Sequence, residues 1–314
     1  MKEQIKLIII DTLAYFDVFN YPLTLDQIYL FLHYNHIQKK IIKECLGEMP
    51  IVENKNGFYF FSGKQEIAIK RKLRKKDNYK KVITAIGYSN LLSKIPGVKM
   101  VSLTGSVAMQ NALADDDIDL FIITRKNMLW TTRLVATFIT KILGIKRERR
   151  SRKNKNKMCL NMFLDEREME ISEKNLYTAH EIVQMKILYD EHKVFEDFMN
   201  KNLWIREFFP KLYVKKRNNR RSKKWFEPIF FSERLLGIIN FSAFILQYIY
   251  MSSRITKEQV SLTRAFFHPN NSNKFILTEY KKRKEIYSRM NELSENLDKI
   301  KKDKVLTKKA GLVN

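Results

Sequence analysis

An apolar run, Val101-Ser-Leu-Thr, ends in Gly105-Ser106, a short helical stretch follows, and a second apolar run opens with Asp117-Ile118-Asp119. No other stretch restricts the folding of this chain so tightly. Side chains two apart on a strand leave the same face, so Asp117 and Asp119 point one way. Ile118, Leu120 and Ile122 take the other face and pack. Two neighbouring carboxylates repel unless a cation lies between them, and oxygen ligands of this kind hold a hard cation such as Mg²⁺. Gly105 lets the backbone approach an anion closely, and Ser106 adds a hydroxyl at a helix start, where free N–H groups favour negative charge. An anion-binding turn beside a cation-binding strand is the pairing that phosphoryl chemistry requires.

The apolar strand, Gly105-Ser106, a spacer and then Asp117-x-Asp119 resemble the signature of the DNA polymerase β-like nucleotidyltransferase superfamily, over the fifteen positions Gly105 to Asp119. The resemblance implies that Gly105 and Ser106 bind the triphosphate of a nucleoside triphosphate and that Asp117 and Asp119 hold two Mg²⁺ ions, with Mn²⁺ as a substitute. It implies transfer of a nucleoside monophosphate to an acceptor that the sequence does not name, with release of pyrophosphate. The family also carries a third carboxylate on a later strand. The next strand expected here, Met158–Leu164, has Asn161 as its one polar side chain. An amide oxygen can ligate Mg²⁺ but cannot accept a proton. Asp165 and Glu166 follow at once and supply the charge if the strand runs longer. A second reading stays open: a non-catalytic, DNA-binding regulator whose nucleotidyltransferase fold senses a nucleotide.

The chain has 314 residues, 45% of them hydrophobic, enough for two or three cores. Its formal net charge is +25, from 59 Lys and Arg against 34 Asp and Glu, which attracts polyanions. The excess is clustered. Lys70–Lys81, Lys146–Lys157 and Lys211–Lys224 each hold eight basic residues, with one, one and no acids respectively. Nucleic acid is therefore an expected partner, through Lys39, Lys40 and Lys43 on an N-terminal helix and through Arg147, Arg149, Arg150 and Arg152 near the aspartate strand. Cys45 and Cys159 lie far apart with neither disulfide nor zinc spacing, which fits a reducing cytoplasm. His33 and His36 read as ordinary polar positions at a helix end. The apolar run Leu7–Ile10 is too short for a cleavable signal peptide.

The order of elements predicts an α+β protein. Residues 1–77 read as a winged helix-turn-helix-like module: helices over 3–19, Leu25–Leu32 (with the capping box Thr24-Leu-Asp-Gln27) and Ile37–Leu46, then two strands about Asn56-Gly57. Residues 78–173 read as the nucleotidyltransferase α/β core with a small mixed sheet, entered through a helix Tyr79–Leu92 and crossed by a helix Leu129–Leu143. Residues 174–297 read as a helical bundle and 298–314 as a basic, disordered tail. Within the bundle, His180 and Glu181 are expected as an ordinary exposed pair, and Phe195, Phe198, Trp204, Phe208 and Phe209 as core. Leu235–Met251, the most apolar stretch, is interrupted by Asn240, Ser242 and Gln247 and is expected to be a buried helix, so no membrane partner is anticipated.

Overall fold

The computed structural model describes residues 2–33, 37–148, 154–218, 232–252, 259–267 and 271–310. The chain divides into two compact units, Met1–Lys72 with Lys274–Asn314, and Leu73–Asn273. The first unit begins with α1 (Lys2–Asp17), β1 (Leu23–Thr24), α2 (Leu25–Phe31), α3 (Lys39–Gly47), β2 (Val52–Lys55) and β3 (Phe58–Phe61). The Thr24 hydroxyl accepts the Gln27 amide, and the Gln27 side chain accepts the Thr24 amide, so the box predicted from four residues starts α2. Asn56 and Gly57 both have positive φ, +56° and +79°, as a tight two-residue hairpin turn requires. The three strands pair antiparallel in the order β1-β3-β2. Ile9, Ile10, Phe16, Leu23, Ile28, Ile42 and Phe61 are buried in this unit.

Helix α4 (Gln65–Leu92) leads into the second unit: β4 (Val98–Leu103), α5 (Gly105–Ala108), β5 (Ile118–Thr124), α6 (Leu129–Ile142), β6 (Met158–Asp165), α7 (Leu176–Gln184), β7 (Lys186–Asp190), α8 (Val194–Lys201), α9 (Ile205–Phe208), α10 (Pro210–Asn218), α11 (Glu233–Ser252), β8 (Gln259–Val260) and β9 (Arg264–Phe266). The last helix, α12, is Asn271–Ala310. The sheet is mixed, in the order β7-β4-β5-β6-β9-β8, and β5 with β6 is its parallel pair. A parallel neighbour needs a crossover, and α6 lies in the connection. Strands β4 and β5 are apolar nearly throughout, as central strands covered on both faces must be.

Several expectations are corrected. Residues 174–297 are not a helical bundle, because β7, β8 and β9 all fall there and complete the sheet. A three-residue apolar run such as Ile187-Leu188-Tyr189 in β7 cannot be told from helix by periodicity alone. The backbone of 298–310 is helical, part of α12, where disorder is expected; residues 311–314 lie outside the described residues. The helix expected over Tyr79–Leu92 starts earlier, so the run Lys70–Lys81 lies inside α4.

Leu235–Met251 is helical but not buried. The buried positions of α11 are Asn240, Ala243 and Gln247, and most of its large apolar side chains, Ile238, Phe241, Leu246 and Ile249 among them, face outward. Hydrogen bonding dictates this choice. The Asn240 side-chain oxygen accepts the Trp130 and Thr131 amides at 2.8 and 3.3 Å, two first-turn donors of α6 that no local side chain caps. Gln247 Nε2 donates to the Trp130 carbonyl at 2.8 Å, and Arg133 Nη1 donates to Gln247 Oε1 at 2.5 Å.

Helix α12 returns to the first unit through a buried carboxylate. Asp17, 3% exposed, accepts Lys64 Nζ at 2.7 Å, Arg283 Nη1 at 2.9 Å and Tyr287 Oη at 3.2 Å. Lys6 Nζ meets Glu295 Oε1 at 2.9 Å, and the Tyr287 ring stacks on Phe61. Removing the buried acceptor would leave two cations and a phenol without it. We expect Asp17→Ala to cost about 2–4 kcal/mol and Asp17→Asn less, read from urea denaturation followed by circular dichroism. A loss within experimental error for Asp17→Ala would show that α12 is held by apolar contact instead.

Candidate active site

The motif residues converge at one end of the central strands. Beyond Leu103 the chain turns at Gly105, whose φ of +64° suits glycine. A Cβ built there would lie 2.6 Å from Asp119 Oδ2, so the absence of a side chain also makes room for the carboxylate. The Thr104 amide donates to the Asp119 carbonyl at 3.0 Å, which ties the turn to β5. Helix α5 is a single turn. Ser106 Oγ donates to Asp116 Oδ2 at 2.9 Å, an oxygen that also accepts the Leu113 amide at 2.9 Å. Here the Ser106 hydroxyl therefore orders the loop that leads into the aspartates.

A buried cation holds the same loop. Lys81, on α4 and 2% exposed, donates to the carbonyls of Ala114 (3.1 Å) and Asp116 (2.6 Å) and to Asn156 Oδ1 (2.8 Å). Its three N–H donors are all used, which is what a buried ammonium needs. Burial nevertheless pushes its pKa down. Asn78 and Arg74, one and two turns earlier, hold Ala112 and Asn111. Two of the eight basic residues of the first run, Arg74 and Lys81, are thus scaffolding.

Ligand atoms of Asp117, Asp119 and Cys159 lie within 4.8 Å of one another. Cys159 faces Asp119 in the parallel register of β5 and β6, so Cys159, not Asn161, is the β6 side chain at the site. Burial, and then the Asp119 charge, push the Cys159 thiol far up. A neutral thiol is a poor ligand, which leaves two carboxylates, the donor set of a hard divalent cation. Arg147 Nε lies 2.9 Å from Asp117 Oδ2, and Arg147 Nη1 lies 3.5 Å from Cys159 Sγ. Arg149, Arg150 and Arg152 lie outside the described residues. Lys39, Lys40 and Lys43 are exposed on α3 of the first unit, where Lys39 is paired with Asp26 at 2.6 Å.

The carboxylates proposed downstream are elsewhere. Asp119 pairs with Cys159 and Thr124 with Asp165, so Asp165 stands five residues further along the sheet, about 17 Å away. It is fully buried and bound by Arg167 Nε and Nη2, both at 2.9 Å, while Glu166 pairs with Lys99 at 2.9 Å. An acid near enough to feel the Asp119 charge is Glu181, on α7. Burial pushes its carboxyl up to about 7, the negative charge of Asp119 adds to the rise, and a hydrogen bond from Gln184 at 2.5 Å opposes it. Tyr177, one turn earlier, is pushed up by burial and then by Glu181 and Asp119. His180 is fully buried, and burial pushes it down to about 3. The exposed pair expected at His180 and Glu181 is therefore overturned. The apolar spacing of Leu176, Ala179, Ile182 and Val183 fixes which face of α7 packs, but only the fold brings that helix to β5.

Two further cations share this end of the sheet. Lys186 opens β7 opposite Leu103, beside the Gly105 turn. Burial lowers its pKa, and Lys216 is pushed down to about 8 by burial and then by the Lys186 charge. Lys216 Nζ donates to the Met185 carbonyl. Lys186 does not stand out in the sequence, and Lys216 is one of eight basic residues in the run Lys211–Lys224.

No family model matches the chain, and no curated protein matches it. A solved structure described as "Crystal structure of the toxin-antitoxin with AMP-PNP" aligns with 42% of this chain and 92% of its own at 14% identity, with a TM-score of 0.25. Likeness at that level assigns neither a fold nor a ligand.

The raised Glu181 sets a pH dependence of stability. An unfolded glutamate protonates near 4.5 and the folded one near 7, so the native state binds the extra proton between these values. Stability then falls as pH rises from about 4.5 through about 7, by roughly 2–3 kcal/mol. In EDTA, urea midpoints measured from pH 5 to pH 8 should decline for the wild type and flatten for Glu181→Gln. Parallel curves would place Glu181 in solvent.

Proposed function

We propose that this protein is a Mg²⁺-dependent nucleotidyltransferase, moving a nucleoside monophosphate from a nucleoside triphosphate to an acceptor hydroxyl or phosphate with release of pyrophosphate. The observation that carries the reading is the meeting of two acids, Asp117 and Asp119, beside a glycine turn that leaves space for Asp119, with Glu181 close enough to be raised by the Asp119 charge. Asp117 and Asp119 would hold the metal. When bound, divalent cations neutralise the phosphoryl oxygens and the leaving pyrophosphate of an in-line displacement. Glu181, with a carboxyl that titrates near neutrality, is suited to take the proton from an acceptor hydroxyl. Lys186 and Lys216 stand beside the Gly105 turn and would take up triphosphate charge. Arg147 holds Asp117 in place and is a cation available to the same phosphates.

The binding-only reading draws on the lack of a later carboxylate, and Glu181 weakens that motive. The exposed Lys40 and Lys43 on α3 still favour a nucleic-acid contact by the first unit. Both readings meet one assay: labelled triphosphates with Mg²⁺ or Mn²⁺ and RNA, protein or small hydroxyl acceptors. Transfer should fall by about three orders of magnitude or more in Asp117→Asn with Asp119→Asn. Glu181→Gln should lose about 10²–10³-fold and the rising limb of the pH profile. Transfer that survives in the double variant would overturn the catalytic assignment. Metal-dependent nucleotide binding without transfer to any acceptor would favour the regulator.

A further inference from the structure

Helix α11, and α6 beyond its first turn, are inverted. The buried positions of α11 are small or polar, Asn240, Ala243 and Gln247. So are those of α6 beyond its first turn, Thr132, Ala136 and Thr140, while Leu129 and Trp130 of that first turn enter the core. The outer positions of both helices are large and apolar. On α11, Ile238 is 64% exposed, Leu246 66% and Ile249 66%, with Phe241 beside them; on α6, Phe138 is 64% and Ile142 68% exposed. From Leu235 to Ser252 the helix carries no Asp, Glu, Lys, Arg or His. Contiguous apolar surface on this scale marks a contact with something else.

Charge identifies the occupant. The chain carries a net +25, so two copies pressed face to face would repel, whereas an anionic surface would attract it. Exposed cations frame the face, with Arg234 at the start of α11 and Lys141 at the end of α6. In the sequence the acid-free run Lys211–Lys224 precedes α11. An apolar helix face beside basic residues is the pattern of a helix that lies in the plane of an anionic membrane. We infer that the α6–α11 face docks on an anionic lipid bilayer. Helix α11 lies on the surface rather than spanning it. Asn240 and Gln247 bind the first turn of α6, and Ala243, Phe244 and Met251 pack on the core that α11 would abandon by inserting across a bilayer. The exposure of α11 sets aside the expectation of a buried helix, and the inference departs from the expectation of no membrane partner.

Flotation of the full chain with vesicles tests this. Binding is expected with phosphatidylcholine containing about one third phosphatidylserine at low salt, weakening as salt screens it. Vesicles of phosphatidylcholine alone should bind far less. Ile249→Trp should be quenched by brominated lipid, because the face enters the acyl boundary. A triple variant, Ile238→Asp, Leu246→Asp and Ile249→Asp, should lower partitioning by about tenfold or more per residue at an unchanged melting temperature. Should the triple variant unfold, the quenching result decides alone. No flotation of the wild type overturns the inference, as does binding without quenching, which would be electrostatic adsorption only. A stable dimer in sedimentation, or retention by an acidic protein, with no vesicle binding would assign the face to that partner and also overturn it.

Discussion

Mutual repulsion at the start of β5 organises this structure. Asp116, Asp117 and Asp119 fall within four residues, and Glu181 arrives from α7. Each neighbouring feature answers that crowding. Gly105 has no side chain where Asp119 needs room, and Ser106 and the Leu113 amide bind Asp116. Arg147 sits on Asp117. Lys81 binds the backbone of the loop rather than its carboxylates, so it fixes geometry without cancelling the charge that a cation would meet. A buried ammonium is expensive unless each donor is matched, and here three acceptors match it.

Local chemistry was legible before any coordinates. Period-two spacing put Asp117 and Asp119 together, Thr24 and Gln27 started α2, and Asn56-Gly57 turned the hairpin. Contacts between distant segments were not. Glu181 lies 62 residues beyond Asp119 on an ordinary amphipathic helix, and nothing in its spacing separates it from a solvated glutamate. Lys81 was hidden in a run of like charge whose other members are mostly exposed. The choice of Cys159 over Asn161 depends on a register shift between Asp119 and Phe121, which alternation cannot foresee.

The helix α11 shows a different limit. Hydropathy measures how apolar a segment is, not which face it buries. Asn240, Ser242 and Gln247 look like interruptions of a core helix. Asn240 and Gln247 prove to be the inward face, because α6 begins without a local cap and its free amides bind Asn240. Once these polar groups turn inward, the helical period forces Ile238, Leu246 and Ile249 out. One missing cap on α6 thereby exposes an apolar surface on α11.

The same reasoning links charge to chemistry at the site. Burial first, and then Asp119, hold the Glu181 carboxyl near 7, so at neutral pH it is protonated about as often as not. A divalent cation between the aspartates would cancel the second of these causes and leave the first. Glu181 would then ionise more readily in the loaded site than in the empty one. On the nucleotidyltransferase reading, the base is strengthened when metal and substrate are in place. Without them Glu181 keeps its proton in about half of the molecules at neutral pH, which spares the fold part of the repulsion at β5. On that reading, charge crowding that destabilises the empty protein would become, on loading, the arrangement that binds the metal and readies the base.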